Sequence, residues 1–219
     1  MKKKIILFII VILSLPFIVF NVYKLLIYND FKNYLNEKYT GKTFKIDWVK
    51  YDFLYQRFIS KVQCSSDGAE FPISMQGDIS KFPINKQEDI SEEYIKIRNG
   101  NTINSYVNSC LKNEDFNKYI NDLSAGVEDE GLLGTEKEIE YGKLVYNVYI
   151  NFNYNSITDN KQFAEITFEI ISKLKNNNIK MNSISIDYEK GKEVYSLLLQ
   201  SCEIDGQVTD IQNHIWKRK

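Results

Sequence analysis

Histidine occurs once, at position 214, and the 219 residues include only three cysteines, three prolines and ten glycines. That histidine falls near the end of an expected terminal helix and reads as a surface residue rather than a base beside a nucleophile, and one imidazole is too few for a Cys/His zinc site of usual spacing. The cysteines, Cys64, Cys110 and Cys202, are odd in number and widely spaced, which is not a disulfide framework. At most one bridge could form. Cys64 and Cys202 fall in strand-like segments and leave a pairing open against three free thiols. Scarce proline and glycine exclude collagen-like and proline-rich stalks. Neither sign of charge dominates, with 28 basic against 29 acidic residues, so the whole chain offers no electrostatic footprint for nucleic acid. Phosphate-cradling glycine motifs, a GxSxG elbow, a CxxC pair and an EF-hand loop are all missing.

Apolar and aromatic residues are plentiful, at 43% and 14%, which suffices for a core and excludes disorder over most of the chain. The strongest local signal is N-terminal. Lys2, Lys3 and Lys4 precede a run from Ile5 to Phe20 that is apolar but for Ser14 and Pro16 and extends to Tyr23 across Asn21. At ~1.5 Å of rise per residue, residues 5–23 are long enough for the ~30 Å hydrocarbon layer of a bilayer. A cleaved signal peptide needs small residues before the cut, yet 15–30 holds no Ala, Gly or Ser. The expectation is an uncleaved, single-pass anchor in the cell membrane. Its N-terminus is cytoplasmic by the positive-inside rule, and the bulk of the chain is extracellular. Taking the three lysines from the 28 basic residues leaves 25 against 29 acids, a mildly acidic ectodomain. The basic tail Lys217–Lys219 is read as a solvated terminus.

Apolar positions 25, 28, 31, 35 and 39 step by three or four, so the helix is expected to continue beyond the span until Gly41 stops it. Phe44, Ile46 and Trp48 alternate, then the apolar phase moves to Val49, Tyr51, Phe53 and Tyr55, which predicts a bulge. Strands follow at 57–64 and 70–75 around a Ser65–Gly68 turn. Pro72 is expected at an edge or an irregular strand end. Residues 91–111 read as helix, kinked or split at Asn99-Gly100-Asn101, with a short helix at 115–123. The Gly-rich acidic stretch 124–134 is read as a linker. Leu144 to Tyr154 shows strict alternation, the mark of a sheet with one wet face. Asp159 is expected to cap a helix bearing Phe163, Ile166, Ile170, Ile171 and Leu174. Strands at 181–188 and 193–204 and a short helix near 209–212 complete the chain.

The expected fold is therefore α+β: an N-terminal transmembrane helix followed by two helix-plus-antiparallel-sheet units. The divisions are 1–28 for the basic start and anchor, 29–123 for the first unit, 124–134 for the linker and 135–219 for the second.

Candidate chemistry is thin. Glu128-Asp129-Glu130 and Glu136, Glu138, Glu140 are the visible acid groups, and they read as solvated loop rather than paired catalytic acids. Tyr51, Phe53 and Tyr55, and Tyr146 and Tyr154, could form a sugar or peptide platform, but strand alternation makes them packing residues. Asn147, Asn151, Asn153 and Asn155 form a polar ladder within an Asn-rich chain of 22 such residues. No catalytic residue, cofactor or metal ligand is assigned.

The order of segments resembles the YfjL-like proteins of Gram-positive bacteria. The likeness rests on the basic start and span, Tyr34-Leu35, Lys38-Tyr39-Thr40-Gly41 and Val49-Lys50-Tyr51-Asp52-Phe53. It continues through Phe71-Pro72-Ile73, Asp89-Ile90-Ser91-Glu92-Glu93-Tyr94, Tyr146-Asn147-Val148-Tyr149-Ile150 and Ile184-Ser185-Ile186-Asp187-Tyr188. The resemblance implies membrane anchoring and N- and C-terminal α+β parts, with no activity attached. The expected role is a non-catalytic interaction or sensing module with an envelope protein or peptide partner and no nucleic acid. The alternatives are an inhibitor or immunity-type, cystatin-like or PepSY-like binder, and an envelope hydrolase using carboxylates.

Overall fold

The computed structural model describes residues 2–77, 90–111, 114–135 and 139–218, with side chains from Ser14 onward and, around the short third helix, from Phe116. The fold is α+β. The chain forms two compact units, Met1–Ile97 and Arg98–Lys219.

In unit 1, α1 runs unbroken from Lys2 to Lys38. Tyr23, Ile27, Phe31, Leu35 and Tyr39 recur every fourth residue along one side and are all buried. Steps of four keep side chains on one helical face, and each such burial contributes about 1.5–3 kcal/mol. Gly41 then takes φ +82°, a left-handed conformation open to glycine, and the chain turns into the sheet.

That sheet is antiparallel, ordered β1 (Phe44–Ile46), β3 (Arg57–Cys64), β4 (Glu70–Gln76), β5 (Ile90–Glu92), with β2 (Lys50–Asp52) also on β3. The bulge expected from the apolar phase shift is present. Ile46 pairs with Val62 but Lys50 pairs with Ile59, so four steps on one side meet three on the other. The extra residue turns Trp48 outward and Val49 into the core. The Ser60 hydroxyl holds the irregularity by donating to the Asp47 carbonyl at 2.7 Å. Pro72 lies opposite Lys61, just outside the stretch Ile73–Met75 that β5 covers, which spares the ladder a missing donor.

Unit 2 contains a five-stranded sheet ordered β10 (Trp216–Lys217), β9 (Glu193–Gln200), β8 (Lys180–Lys190), β7 (Val145–Phe152), β6 (Ile120–Val127). Tyr146, Val148, Ile150 and Phe152 are buried while Tyr149 and Asn151 face out, as the alternation predicts. Asp159 caps α4 (Asn160–Asn176), its carboxylate accepting from Gln162 N–H at 2.8 Å. Phe163 packs at 5.6 Å from Phe152 and 4.6 Å from Tyr188. The last helix, α5 (Val208–Asn213), opens on a capping box from Gln207 and Asp210.

Several expectations are corrected. The second sheet is mixed, because β7 and β8 are parallel, joined by the α4 crossover that parallel pairing requires. α2 (Tyr94–Leu111) is one continuous helix. Within Asn99-Gly100-Asn101, the stretch expected to kink or split it, Asn99 is buried and donates from its amide to the carbonyls of Leu133 (2.8 Å) and Thr135 (2.9 Å). The helix expected at 115–123 shrinks to α3 (Glu114–Asn117), and Ile120–Leu123 begins β6 instead. Ser124–Val127 is strand too, and Glu130–Gly134 is a 3₁₀ turn capped by Asp129, so 124–134 is not a linker. The units divide at Ile97/Arg98. The far end of the expected membrane span is also revised. Tyr23 is 9% exposed and sits in the core of unit 1, with its ring 5.2 Å from that of Phe58. Among the described residues no helix is long and apolar enough to cross a membrane. The side chains of 1–13, which include residues 5–13 of the expected span, lie outside them.

Candidate binding face

β3 and β4 place alternate residues on opposite faces of the unit 1 sheet. Phe58, Val62, Phe71, Ile73 and Met75 point into the core. Arg57, Ile59, Lys61, Glu70, Pro72 and Ser74 occupy the other face, and the bulge adds Trp48, 52% exposed. Together they line a concavity of about 640 Å³. Such volumes suit a ligand or a short peptide segment. Its floor is apolar, from Trp48, Ile59 and Pro72. Its rim carries both signs of charge, with Lys50, Arg57 and Lys61 against Glu70 and Glu93. Lys61 pairs with Glu70, which raises the lysine pKa, and Arg57 lies 3.7 Å from Asp52. A mixed rim around an apolar floor fits polypeptide better than a polyanion.

Beside this face lies a polar brace. Glu92 is sequestered, its side chain 3% exposed, and accepts from Lys38 Nζ and Tyr39 OH at 2.7 Å each, and from Tyr94 N–H. Burial pushes the Glu92 carboxyl up, but these three donors prevail and hold it below the ordinary value. Lys38 is raised despite its burial, through Glu92 and Tyr34. The Tyr94 hydroxyl donates to Asp67, as do Lys42 Nζ at 3.1 Å and Ala69 N–H at 3.1 Å. Burial raises the Asp67 carboxyl and these donors lower it, with a net fall. The same surroundings push the Tyr94 phenol up, chiefly through burial. The brace ties α1 to the strands.

No family model, curated protein or solved structure matches this chain. The reading of function therefore rests on the geometry of its own residues.

Among the described residues, the acid groups singled out from sequence are not brought together. Glu128, Asp129 and Glu130 are exposed, with Asp129 accepting from Gly131 N–H at 3.0 Å. Glu140 pairs with Lys143 at 2.6 Å, and Glu136 and Glu138 lie outside the described residues. His214 is at the exposed end of α5, its Nδ1 2.8 Å from the Asp210 carbonyl and its Nε2 3.2 Å from Glu203. Among the described residues no three His, Cys, Asp or Glu side chains converge as a metal site. The three thiols are free, with Cys64 buried and Cys202 exposed in the turn after β9.

Three asparagines of the ladder have separate structural duties. Asn147 accepts from Ser183 Oγ at 2.7 Å, Asn153 donates to the Lys118 carbonyl at 2.9 Å, and Asn155 accepts from Gly191 N–H at 3.1 Å. The aromatic groups also separate. Tyr51 packs on Phe58 at 4.7 Å, whereas Phe53 and Tyr55 sit in the β2–β3 turn and face out. Tyr146 is core, and Tyr154 is exposed. The basic tail is tied down, Lys217 to Glu193 and Arg218 to Asp187 at 3.1 Å. Sequence reasoning found the bulge that presents Trp48 but missed the concavity, whose other walls come from strands distant along the chain. It missed the Glu92 brace as well, since nothing local pairs Lys38 with a residue 54 positions away.

Proposed function

We propose that this protein is a membrane-anchored ectodomain that binds an envelope protein or peptide through the open sheet face of unit 1, without chemistry of its own. The observation that carries the reading is the apolar-floored concavity around Trp48, with its two-signed rim. Anchoring is supported by the sequence: α1 continues back from the packed stripe through an apolar run to Lys2–Lys4. The scattered acids and the exposed His214 favour binding over catalysis. The resemblance to the YfjL-like proteins fits the same picture.

The test places a photo-crosslinking residue at Trp48 or Ile59 in the full chain expressed in its native host, with Tyr149 as the control position. A discrete adduct from the sheet face and none from the control is the expected outcome. Equal labelling at all three positions, or none, would reject the binding face. External protease on intact cells tests the anchor separately, since a cytoplasmic bulk of the chain would survive it.

A further inference from the structure

Three consecutive large apolar side chains stand out from the β2–β3 turn. Phe53, Leu54 and Tyr55 are 72%, 81% and 60% exposed. Their display is built rather than slack. The Asp52 carboxylate accepts from the N–H groups of Leu54 (3.1 Å) and Tyr55 (3.3 Å), and Gln56 takes a left-handed φ of +48° to close the turn. An outward apolar tip fixed by its own backbone is a feature that water alone disfavours.

Its place in unit 1 is specific. Phe53 packs on Tyr51 at 4.9 Å, and Tyr51 meets Phe20 of α1 edge-on at 6.1 Å. At the other end of the same sheet, Phe44 meets Tyr39, 5.8 Å away. The turn therefore lies at the N-terminal end of the packed part of α1. There Leu15, Phe17, Ile18, Val19 and Val22 are exposed, and apart from Ser14 the sequence stays apolar back to Ile5. Cations edge this surface: Lys24 lies 4.7 Å from the Phe20 ring centre and Arg57 5.0 Å from that of Tyr55. Aromatic rings with Lys and Arg at the end of an apolar helix match the boundary between acyl chains and phosphate headgroups.

We infer that the Phe53-Leu54-Tyr55 turn is a second membrane contact, inserted at the outer-leaflet headgroup boundary beside α1. The inference rests on the anchored reading above. It also answers a shortage of length. Because Phe20 and Tyr23 pack on unit 1 and Lys2–Lys4 form the basic start, the apolar helix left for lipid runs from Ile5 to Val19. At ~1.5 Å per residue it falls well short of a ~30 Å hydrocarbon layer. A short span is met by local thinning and by side chains anchored at the interface, and the turn supplies three. Lys24 and Arg57 then face lipid phosphates, and the sheet is held close to the bilayer.

The experiment uses the full chain in vesicles of equal parts phosphatidylethanolamine and phosphatidylglycerol. A nitroxide is placed at Leu54→Cys in a Cys110→Ser, Cys202→Ser background, with Tyr149→Cys as control. Alkaline extraction of the same vesicles reports the anchor by itself. The expected result is a chain resistant to extraction. Its Leu54 label collides readily with oxygen and meets a water-soluble nickel chelate several-fold less often than the Tyr149 label does. A resistant chain whose Leu54 label is as open to the chelate as the control overturns the second contact and leaves the anchor standing. A label shielded from both reagents, with spin–spin broadening, assigns the tip to a second copy and overturns the inference. A chain released at alkaline pH rejects the anchor and this inference with it.

Discussion

Lys38 on α1 reaches Glu92 on β5 at 2.7 Å, across 54 positions of sequence, and the carboxylate it meets is almost wholly enclosed. The lysine itself keeps 42% of its side chain in water. Glu92→Gln should therefore weaken unit 1 by about 1–3 kcal/mol, below the cost of breaking a fully buried pair. Chemical denaturation of a Trp216→Phe background reads this directly, since the remaining tryptophan, Trp48, lies in unit 1.

Acid should act through the same brace. The folded carboxyls of Glu92 and Asp67 lie below their ordinary values of 4.5 and 3.8. Above those values both carboxyls are ionised in both states, and their stabilisation is complete. As pH falls below them the unfolded chain takes up protons first, so stability drains until the folded values are passed. Denaturation midpoints of unit 1 should fall on acidification through this window. A Glu92→Gln, Asp67→Asn chain should show a flatter profile, and an unchanged slope would contradict the assignment.

Asn99 and Gly100 are neighbours in α2 with opposite expectations. Asn99→Leu leaves the Leu133 and Thr135 carbonyls without their donor and should cost about 1–3 kcal/mol. Limited proteolysis should then cut near 130–135 sooner. Gly100→Ala adds a methyl group that meets nothing within 4 Å, and should stabilise the helix by about 0.5–1 kcal/mol.

Thr167 on α4 is fully buried, and its hydroxyl finds no hydrogen-bond partner among the described residues. Thr167→Val keeps the shape and removes the stranded oxygen. The expected gain is about 1 kcal/mol, seen as a higher denaturant midpoint. A loss of stability would mean that the hydroxyl is satisfied in solution.

The His214 imidazole is raised above 6.5, first by its hydrogen bond with the Asp210 carbonyl and then by Glu203. Its small contribution is present below the ordinary value and fades as pH rises through the folded one. NMR titration should place its midpoint above that of a model imidazole, and Glu203→Gln should move it down. A midpoint indifferent to Glu203 would remove the ion pair.

Legibility followed the range of the cause. The shift of apolar phase at Trp48/Val49, the alternation of β7 and the Asp159 cap are local, and all three appear where the residues place them. Asn99 misled because propensity counts a helix-interior Asn as a cost, whereas two distant carbonyls make it a fixed partner. The parallel pairing of β7 with β8 was hidden for a similar reason, since strand periodicity carries no direction. β6 was hidden because Asn121 and Asp122 fell at the end of an expected helix and Ser124 and Gly126 look like linker, and β7 alone makes them a strand. The concavity could not be read from any one segment, because Trp48, Ile59 and Pro72 meet only through the pairing of the strands.

The two-residue strand β10 closes the outer side of β9, with Trp216 opposite Ser196, Lys217 opposite Tyr195 and Arg218 N–H returning to the Val194 carbonyl at 2.8 Å. A bare strand edge is a template on which another chain can polymerise, and a short, cationic lid is a common way to deny it. β10 thus acts as a guard against self-templating. A change that lifts Trp216 and Lys217 away would leave the β9 edge bare, a growth point for aggregates.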